Sequence, residues 1–245
     1  MEHTRWPPSD SLAPFIEHYW SVRWDLPAGQ PFVAQTLPHP SVHLVIEAGK
    51  GEISGVHTGK FSRRLAGQGR VFGIKFRPAA FSAFSRGPLA KLANRVISVR
   101  SVFGPPGVAL AHAISAEPDT TACVAIAEAF LLATLPARDL QLELLRDLVE
   151  RMAVDRSLLR VEDVVARTGI ALRPLQRLFH TYVGATPKWV LQRYRLHEAA
   201  ERLASSNVDL TDLAHALGYF DQAHFSRDFK AIVGKAPGAY ARQFA

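Results

Sequence analysis

Gly218-Tyr219-Phe220-Asp221-Gln222-Ala223-His224-Phe225-Ser226-Arg227-Asp228-Phe229-Lys230 runs from a glycine turn into a helical pattern. Phe225 and Phe229 recur four residues apart, the spacing of one helix face, while Gln222, His224, Ser226, Arg227 and Lys230 fill the other faces. A short apolar segment, Asp212-Leu213-Ala214-His215-Ala216-Leu217, leads into the glycine, and Asp209 or Thr211 stands where a helix cap belongs. The same pattern occurs earlier in the chain. Asp163-Val164-Val165-Ala166-Arg167-Thr168-Gly169 matches Asp212 to Gly218 at an offset of 49, and Arg177, Phe179, Gly184 and Pro187 match Arg227, Phe229, Gly234 and Pro237 at an offset of 50. The second copy therefore carries one extra residue in its turn.

Each copy reads as a short helix, a glycine turn and a second helix, and each closes on a glycine followed three residues later by a proline. Proline is well tolerated in a first helical turn, where its missing N–H costs nothing. Pro187 thus starts a long helix to about Leu203, and Pro237 a short one to Arg242. The long helix, with Trp189, Val190, Arg193, Leu196, Ala200 and Leu203, sets the two copies a fixed distance apart.

Helix–turn–helix is an arrangement in which the second helix can enter a DNA major groove, its N-terminal residues against base edges. That role needs one apolar stripe docked on the unit's own core and an opposite stripe rich in donors. Leu175, Leu178 and Phe179 supply the first stripe in copy one, leaving Arg173, Gln176, Arg177 and His180 outward. Arg suits bidentate contact to guanine and Gln to adenine. Arg and Gln on one helix face are ordinarily just solvated. Two copies with Arg in register, in a basic segment, favour the DNA reading. From Arg156 to Ala245 there are 13 Lys/Arg against 8 Asp/Glu, whereas the preceding residues hold 16 and 14.

The stretch from Gly218 to Lys230, followed by Gly234 and Pro237-Gly238-Ala239-Tyr240, closely resembles the C-terminal signature of the AraC/XylS family of bacterial transcription regulators. Gly169, Leu175 to Phe179 and Gly184 to Pro187 match that family's other helix-turn-helix. The resemblance covers roughly Leu144 to Arg242, about 40% of the chain. It implies two recognition helices in successive major-groove segments about 34 Å apart on one DNA face. Carried over by position, Arg173, Gln176 and Arg177 read bases from the first helix, and Gln222, Ala223 and Arg227 from the second, with Asp221 at its start. Thr186, Lys188, Arg193 and Lys230 are the candidates for phosphate contacts, which fix register and set salt dependence. The sequence departs from the family at Ala171, where a capping serine is usual, and at Pro174, inside the first turn of recognition helix one.

Upstream the pattern changes. Pro31 to Leu37, Val42 to Glu47, Glu52 to Val56, Phe61 to Ala66 and Arg70 to Phe76 read as short strands punctuated by Gly and Pro, with Ala48-Gly49-Lys50-Gly51 as a hairpin turn. Ser11 to Val22 reads as a helix, with Leu12, Phe15, Ile16, Tyr19 and Trp20 on one face. Gly104-Pro105-Pro106-Gly107 breaks the chain, and Val108 to Ser115, Thr120 to Leu135 and Leu140 to Val154 follow as helices. In the last, Leu140, Leu144, Leu148 and Met152 recur every fourth position, broadened by Leu145 and Val149. The order of motifs in the first hundred residues, ending in Gly73-Ile74-Lys75-Phe76-Arg77-Pro78-Ala79-Ala80, resembles a small β domain found ahead of this DNA-binding pair.

The whole sequence has 245 residues, 48% hydrophobic and 21% charged, with a net charge of +7. Such a chain has ample core material for one large or two ordinary domains, and is neither disordered nor collagenous. One cysteine, Cys123, excludes an intrachain disulfide and a Cys-rich zinc site, and no apolar run is long enough to span a bilayer. The expectation is a reduced, cytoplasmic protein with no membrane contact.

Other candidates have plainer readings. His39, His43 and His57 lack the spacing of a metal cluster and read as solvated or hydrogen-bonded structural histidines. Cys123 reads as a buried thiol. Trp6, Tyr19, Trp20 and Trp24 are candidates for an apolar effector pocket, though large aromatics are normally core, as Phe72, Phe76, Phe81 and Phe84 are expected to be. No phosphate loop, carboxylate pair or nucleophile elbow appears, so no enzyme is expected and no cofactor or metal is called for.

The fold expected is multidomain α+β. Residues 1–103 form a β-rich sensor or dimerisation domain with flanking helices, 104–139 a helical connector, and 140–245 an all-α domain of two helix-turn-helix units joined by a long helix. The function expected is an effector-responsive, sequence-specific DNA-binding transcription regulator. Its alternative is a constitutive DNA binder whose first domain only dimerises. The candidate partners are double-stranded DNA, RNA polymerase, a small-molecule effector of unassigned identity and site, and a second copy of the chain.

Overall fold

In the computed structural model, which describes residues 1–137, 139–205 and 208–244, the first hundred residues build an antiparallel sheet. Its strands are β1 (Glu2–Trp6), β2 (Ile16–Asp25), β4 (His43–Glu47), β5 (Lys50–Ser54), β7 (Gln68–Phe76) and β8 (Val96–Ser98), in the order β1-β2-β7-β4-β5-β8. A separate two-stranded ribbon pairs β3 (Phe32–Thr36) with β6 (Phe61–Leu65). Ala48 and Gly49, both at positive φ, make the expected hairpin turn between β4 and β5.

Alternation assigns the sheet two faces. Tyr19, Leu44, Ile46, Ile53, Phe72, Ile74 and Phe76 belong to the large core, against which the helices pack. Trp24, Leu65 and Val71 form a small core with half-buried Trp20, Val22, Ala34 and Val45, between the sheet and the ribbon. Glycines make room there: a Cβ on Gly73 would lie 2.0 Å from the Trp20 ring, and one on Gly69 would lie 2.1 Å from the Trp24 ring. Tyr19 and Trp24 are therefore core, while Trp6 and Trp20 are half-buried.

Ser11 to Val22 is not a helix. Leu12 to Ile16 makes a single turn, with the amides of Phe15 and Ile16 donating to the Leu12 carbonyl, and the chain then enters β2. A register shift between Ile16 and His18 against β7 places one extra residue in β2, so Ile16 and Tyr19 both point inward although three apart. That spacing imitates a helical face. The polar opening stretch, with no strand expected in it, supplies edge strand β1.

Gly104-Pro105-Pro106-Gly107 breaks the helical path, with a helical piece on each side of it. Within α1 (Arg100–Ala116) two helical pieces meet in a kink at Gly104, whose φ of 62° and ψ of −151° lie outside helical space. Helix α2 (Thr120–Ala133) is capped by Asp119, and α3 (Leu140–Val154) by Asp139. The buried stripe of α3 is Leu142, Leu145, Leu148, Val149 and Met152; Leu140 and Leu144 face solvent.

The remaining helices are α4 (Val161–Thr168), α5 (Leu172–Leu178), α6 (Pro187–Ser205), α7 (Leu210–Ala216), α8 (Gln222–Val233) and α9 (Pro237–Ala241). Apolar packing divides them unequally. One continuous core runs from Leu12 to Leu191, joining the sheet, α1 to α5 and the start of α6. A second, smaller core holds Leu196, Ala199, Leu203, Leu213, Ala214, Leu217, Tyr219, Phe225 and Phe229. The division falls within α6. No helix among the described residues is long and apolar enough to cross a membrane.

Candidate nucleic-acid interface

In the first unit α4 ends on Gly169, whose φ of 69° is left-handed and suits glycine. The Asp163 carboxylate accepts from the amides of Leu159 and Arg160 at 2.9 and 2.7 Å, tying the helix start to the preceding loop. Helix α5 starts at Ala171, which makes no side-chain cap, and passes through Pro174 into a single π turn, Phe179–Val183, closed by Gly184. Leu175, Phe179 and Val183 are buried, and Leu178 is half-buried. Arg173, Gln176, Arg177 and His180 are exposed on the other side, as the stripe required.

The second unit has better caps. The Asp209 carboxylate accepts from the amides of Thr211 and Asp212 at 2.8 and 3.0 Å, and these bonds hold its pKa below the ordinary value. Asp221 caps α8, accepting from the His224 amide at 2.6 Å. Phe225 and Phe229 are buried, with Tyr219 and Tyr240 edge-on to them at 5.4 and 5.5 Å. Asp221, Gln222, Ala223, His224, Arg227 and Lys230 are exposed. Each set of base-reading candidates thus lies on the exposed side of one helix.

Helix α6 fastens the two units to each other. Arg195 donates through Nη1 to the Leu217 carbonyl at 3.0 Å and through Nη2 to the Leu159 carbonyl, so one guanidinium ties the loop before α4 to the end of α7. Gln192 Nε2 donates to the Asp228 carboxylate on α8 at 2.6 Å. Burial lowers the Arg195 pKa, and burial together with the Asp228 charge raises Tyr219 to about 12. Arg195, Gln192 and Asp228 were not among the sequence candidates. Their pairing is between elements, and no spacing along the chain signals it.

The phosphate candidates separate. Thr186, Lys188 and Lys230 are exposed, Thr186 also accepting from the Trp189 amide at 3.2 Å as the cap of α6. Arg193 is a correction. It is 0% exposed, donates to the Thr58 carbonyl at 3.0 Å and lies over the Trp189 ring at 4.6 Å. Burial lowers its pKa to about 10. The loop after β5 covers this face of α6, so Arg193 faces the first half of the chain rather than solvent.

The same seam gathers the histidines. His39 stacks on His197 of α6 with centroids 3.9 Å apart, and His43 sits edge-on to Trp20. Ser54 Oγ and His57 Nε2 are 2.8 Å apart. Lys75 is buried against Glu17 at 2.7 Å. Gly184 packs so closely that a Cβ there would lie 3.0 Å from the Leu89 carbonyl oxygen. Cys123 is buried, and burial raises its pKa. Among the described residues no three His, Cys, Asp or Glu side chains are placed to hold a metal. A cleft of about 480 Å³ opens at one end of the sheet, lined by Trp24, Glu47, Arg63, Leu65, Arg70 and Ser115.

Two family models match the chain: a domain of unknown function (DUF6597) over residues 4–98 and a helix-turn-helix domain over residues 164–243. The HTH-type transcriptional activator RhaS of Pectobacterium carotovorum is 39% identical over 77 residues, 31% of this chain and 28% of that protein. The transcriptional activator NphR of a Rhodococcus species is 32% identical over 85 residues, 35% of this chain and 25% of that one. The chain thus spans about a quarter of the length of these curated relatives. A solved AraC-type transcriptional regulator from Chromobacterium violaceum is 25% identical, covers 40% of this chain and 88% of that one, and superposes with a TM-score of 0.37. Residues 164–243, which hold most of the first helix-turn-helix unit and all of the second, thus form a helix-turn-helix domain similar to that of AraC-like transcription regulators, and it stands behind a DUF6597 domain.

Proposed function

We propose that the protein is a cytoplasmic, sequence-specific DNA-binding transcription regulator that inserts α5 and α8 into successive major-groove segments. The observation that carries this reading is the matched pair of exposed donor stripes. Arg173, Gln176 and Arg177 stand opposite the buried Leu175 and Phe179, and Gln222, Ala223 and Arg227 stand opposite Phe225 and Phe229. Asp221 sets the start of the second stripe. Thr186, Lys188 and Lys230 serve as phosphate contacts that fix register. Residues 1–103 act as a sensor or dimerisation domain, 104–139 as a connector and 140–245 as the DNA-binding domain.

Regulation by a small effector has a physical route in this reading, because the core of the first domain is continuous with that of the first helix-turn-helix unit. A ligand that binds one arrangement of this core better than another shifts the population of the unit that reads DNA. RNA polymerase and a second copy of the chain are the further partners of this reading.

The test is selection of bound sequences from a random DNA pool with the full chain at one near-physiological salt concentration. Two short elements one helical turn apart are the expected result. Binding without any enriched element, fading as salt rises, would reduce the interaction to phosphate attraction and overturn the reading.

A further inference from the structure

The two helix-turn-helix units differ by one residue at the place where base reading begins. The capping residues Ala171 and Asp221 are 50 apart, while the turn glycines 169 and 218 are 49 apart. Ile170 and Tyr219, each following its glycine, both turn inward, half-buried and buried respectively. The surplus residue is Phe220. It is 87% exposed, more than any other large apolar side chain among the described residues.

The backbone holds Phe220 in place on both sides. Gly218 has a φ of 74°, the Tyr219 amide donates to the Ala214 carbonyl at 2.9 Å, and Asp221 caps α8. With Tyr219 buried before it, the exposed phenyl ring directly precedes exposed Asp221, Gln222 and Ala223 along the chain. Nothing in the fold uses the ring, since it joins none of the apolar cores. A small polar residue would complete the same turn. The partner that fits an exposed apolar group beside base-reading donors is the thymine C5-methyl, the one apolar feature of the major groove.

We propose that Phe220 is a specificity-determining residue that reads a thymine methyl at the edge of the second half-site, beside the base pairs met by Gln222 and Ala223. The inference rests on α8 being a recognition helix. It adds an aromatic contact to a set in which Ala223 is the one other apolar side chain.

The test compares the wild-type chain with Phe220→Ser and Phe220→Leu, selecting bound sequences for each and then measuring affinity on the selected site with each thymine replaced in turn by uracil, which lacks the methyl. One thymine of the second element should lose about fourfold in wild-type affinity on replacement, the worth of one methyl group. Phe220→Ser should bind the thymine and uracil sites equally and lose the preference at that position alone. Phe220→Leu should retain most of it, and all three proteins should melt together. If Phe220→Ser keeps both the thymine preference and the uracil penalty, the proposal is wrong while the DNA-reading role of α8 stands. If the wild-type chain selects no second element, that role fails and the proposal falls with it.

Discussion

Arg177 and Arg227 hold matching places in the two units, each exposed on the side of its helix away from the core. A bidentate arginine–guanine contact discriminates by about 1–3 kcal/mol, so Arg177→Ala and Arg227→Ala should each flatten preference at one position of one half-site by that amount. Competition against every base at each position measures it, and a loss spread evenly over all sites would reassign the arginine to phosphate. Lys188→Ala should do what the arginine changes should not: weaken all DNA similarly and reduce the salt slope by about 0.9. Arg193→Met should leave that slope unchanged, because the guanidinium is enclosed against Thr58 and Trp189. Its Nε and Nη1 are buried without hydrogen-bond partners, and the Thr58 carbonyl keeps its bond from Trp189 Nε1 at 3.1 Å, so an apolar chain of similar length removes an under-satisfied buried cation and strands no acceptor. A melting temperature at or above wild type is therefore expected; a drop in salt slope would instead place Arg193 on the DNA. The sequence shows Arg193 and Lys188 as equivalent cations on one amphipathic helix. What separates them is a loop some 130 residues earlier, a relation that no local pattern encodes.

Helix α6 is more than a spacer. Arg195 bonds backbone carbonyls of both units, and the Gln192–Asp228 contact ties α6 to α8. Arg195→Ala removes two charge-assisted bonds and strands two carbonyls, a loss of about 2–3 kcal/mol. The expected outcome is lower stability together with wider tolerance of half-site spacing, read by binding to sites whose two elements are moved by one base pair either way. Unchanged spacing tolerance would mean that apolar packing alone sets the distance. The elements around α6 were legible because glycine turns, prolines at helix starts and apolar stripes are local signals. The segment Ser11 to Val22 was misleading for an equally local reason: one turn at Leu12 and an extra residue after Ile16 convert strand alternation into helical spacing. In α3, the four-residue spacing of Leu140, Leu144, Leu148 and Met152 pointed to a stripe that packing keeps only in part. The one chosen by packing is Leu142, Leu145, Leu148, Val149 and Met152, leaving Leu140 and Leu144 outside.

At the scale of the whole molecule, the seam between the β-rich half and α6 is a concentration of imidazoles beside cations, and this gives it a pH dependence. Burial lowers His39 to about 2, His43 to about 3 and His197 to about 4, with the charges of Lys75 and Arg193 and neighbouring imidazoles adding to the effect. Lys75 itself is paired with Glu17 at 2.7 Å. The ordinary histidine value is about 6.5, so in the acid range the unfolded chain binds protons that the folded chain refuses. The neutral histidines therefore leave stability intact above about pH 6.5, and it is lost progressively as pH falls toward 4. Melting temperatures from pH 8 to pH 4.5 should show a plateau followed by a steep decline. Replacing the stacked pair in the double variant His39→Asn, His197→Asn removes two of the refused protons. That protein should be no more stable than wild type at pH 8, where the stack is intact, yet should decline less steeply below pH 6.5. Parallel curves for the two proteins would locate the acid sensitivity elsewhere. Because the first helix-turn-helix unit shares its core with the β-rich half, the same decline should appear in tryptophan fluorescence, which Trp20 and Trp24 report from the sheet and Trp189 from α6. Separate transitions from the two groups of tryptophans would mean that the seam opens before either side unfolds.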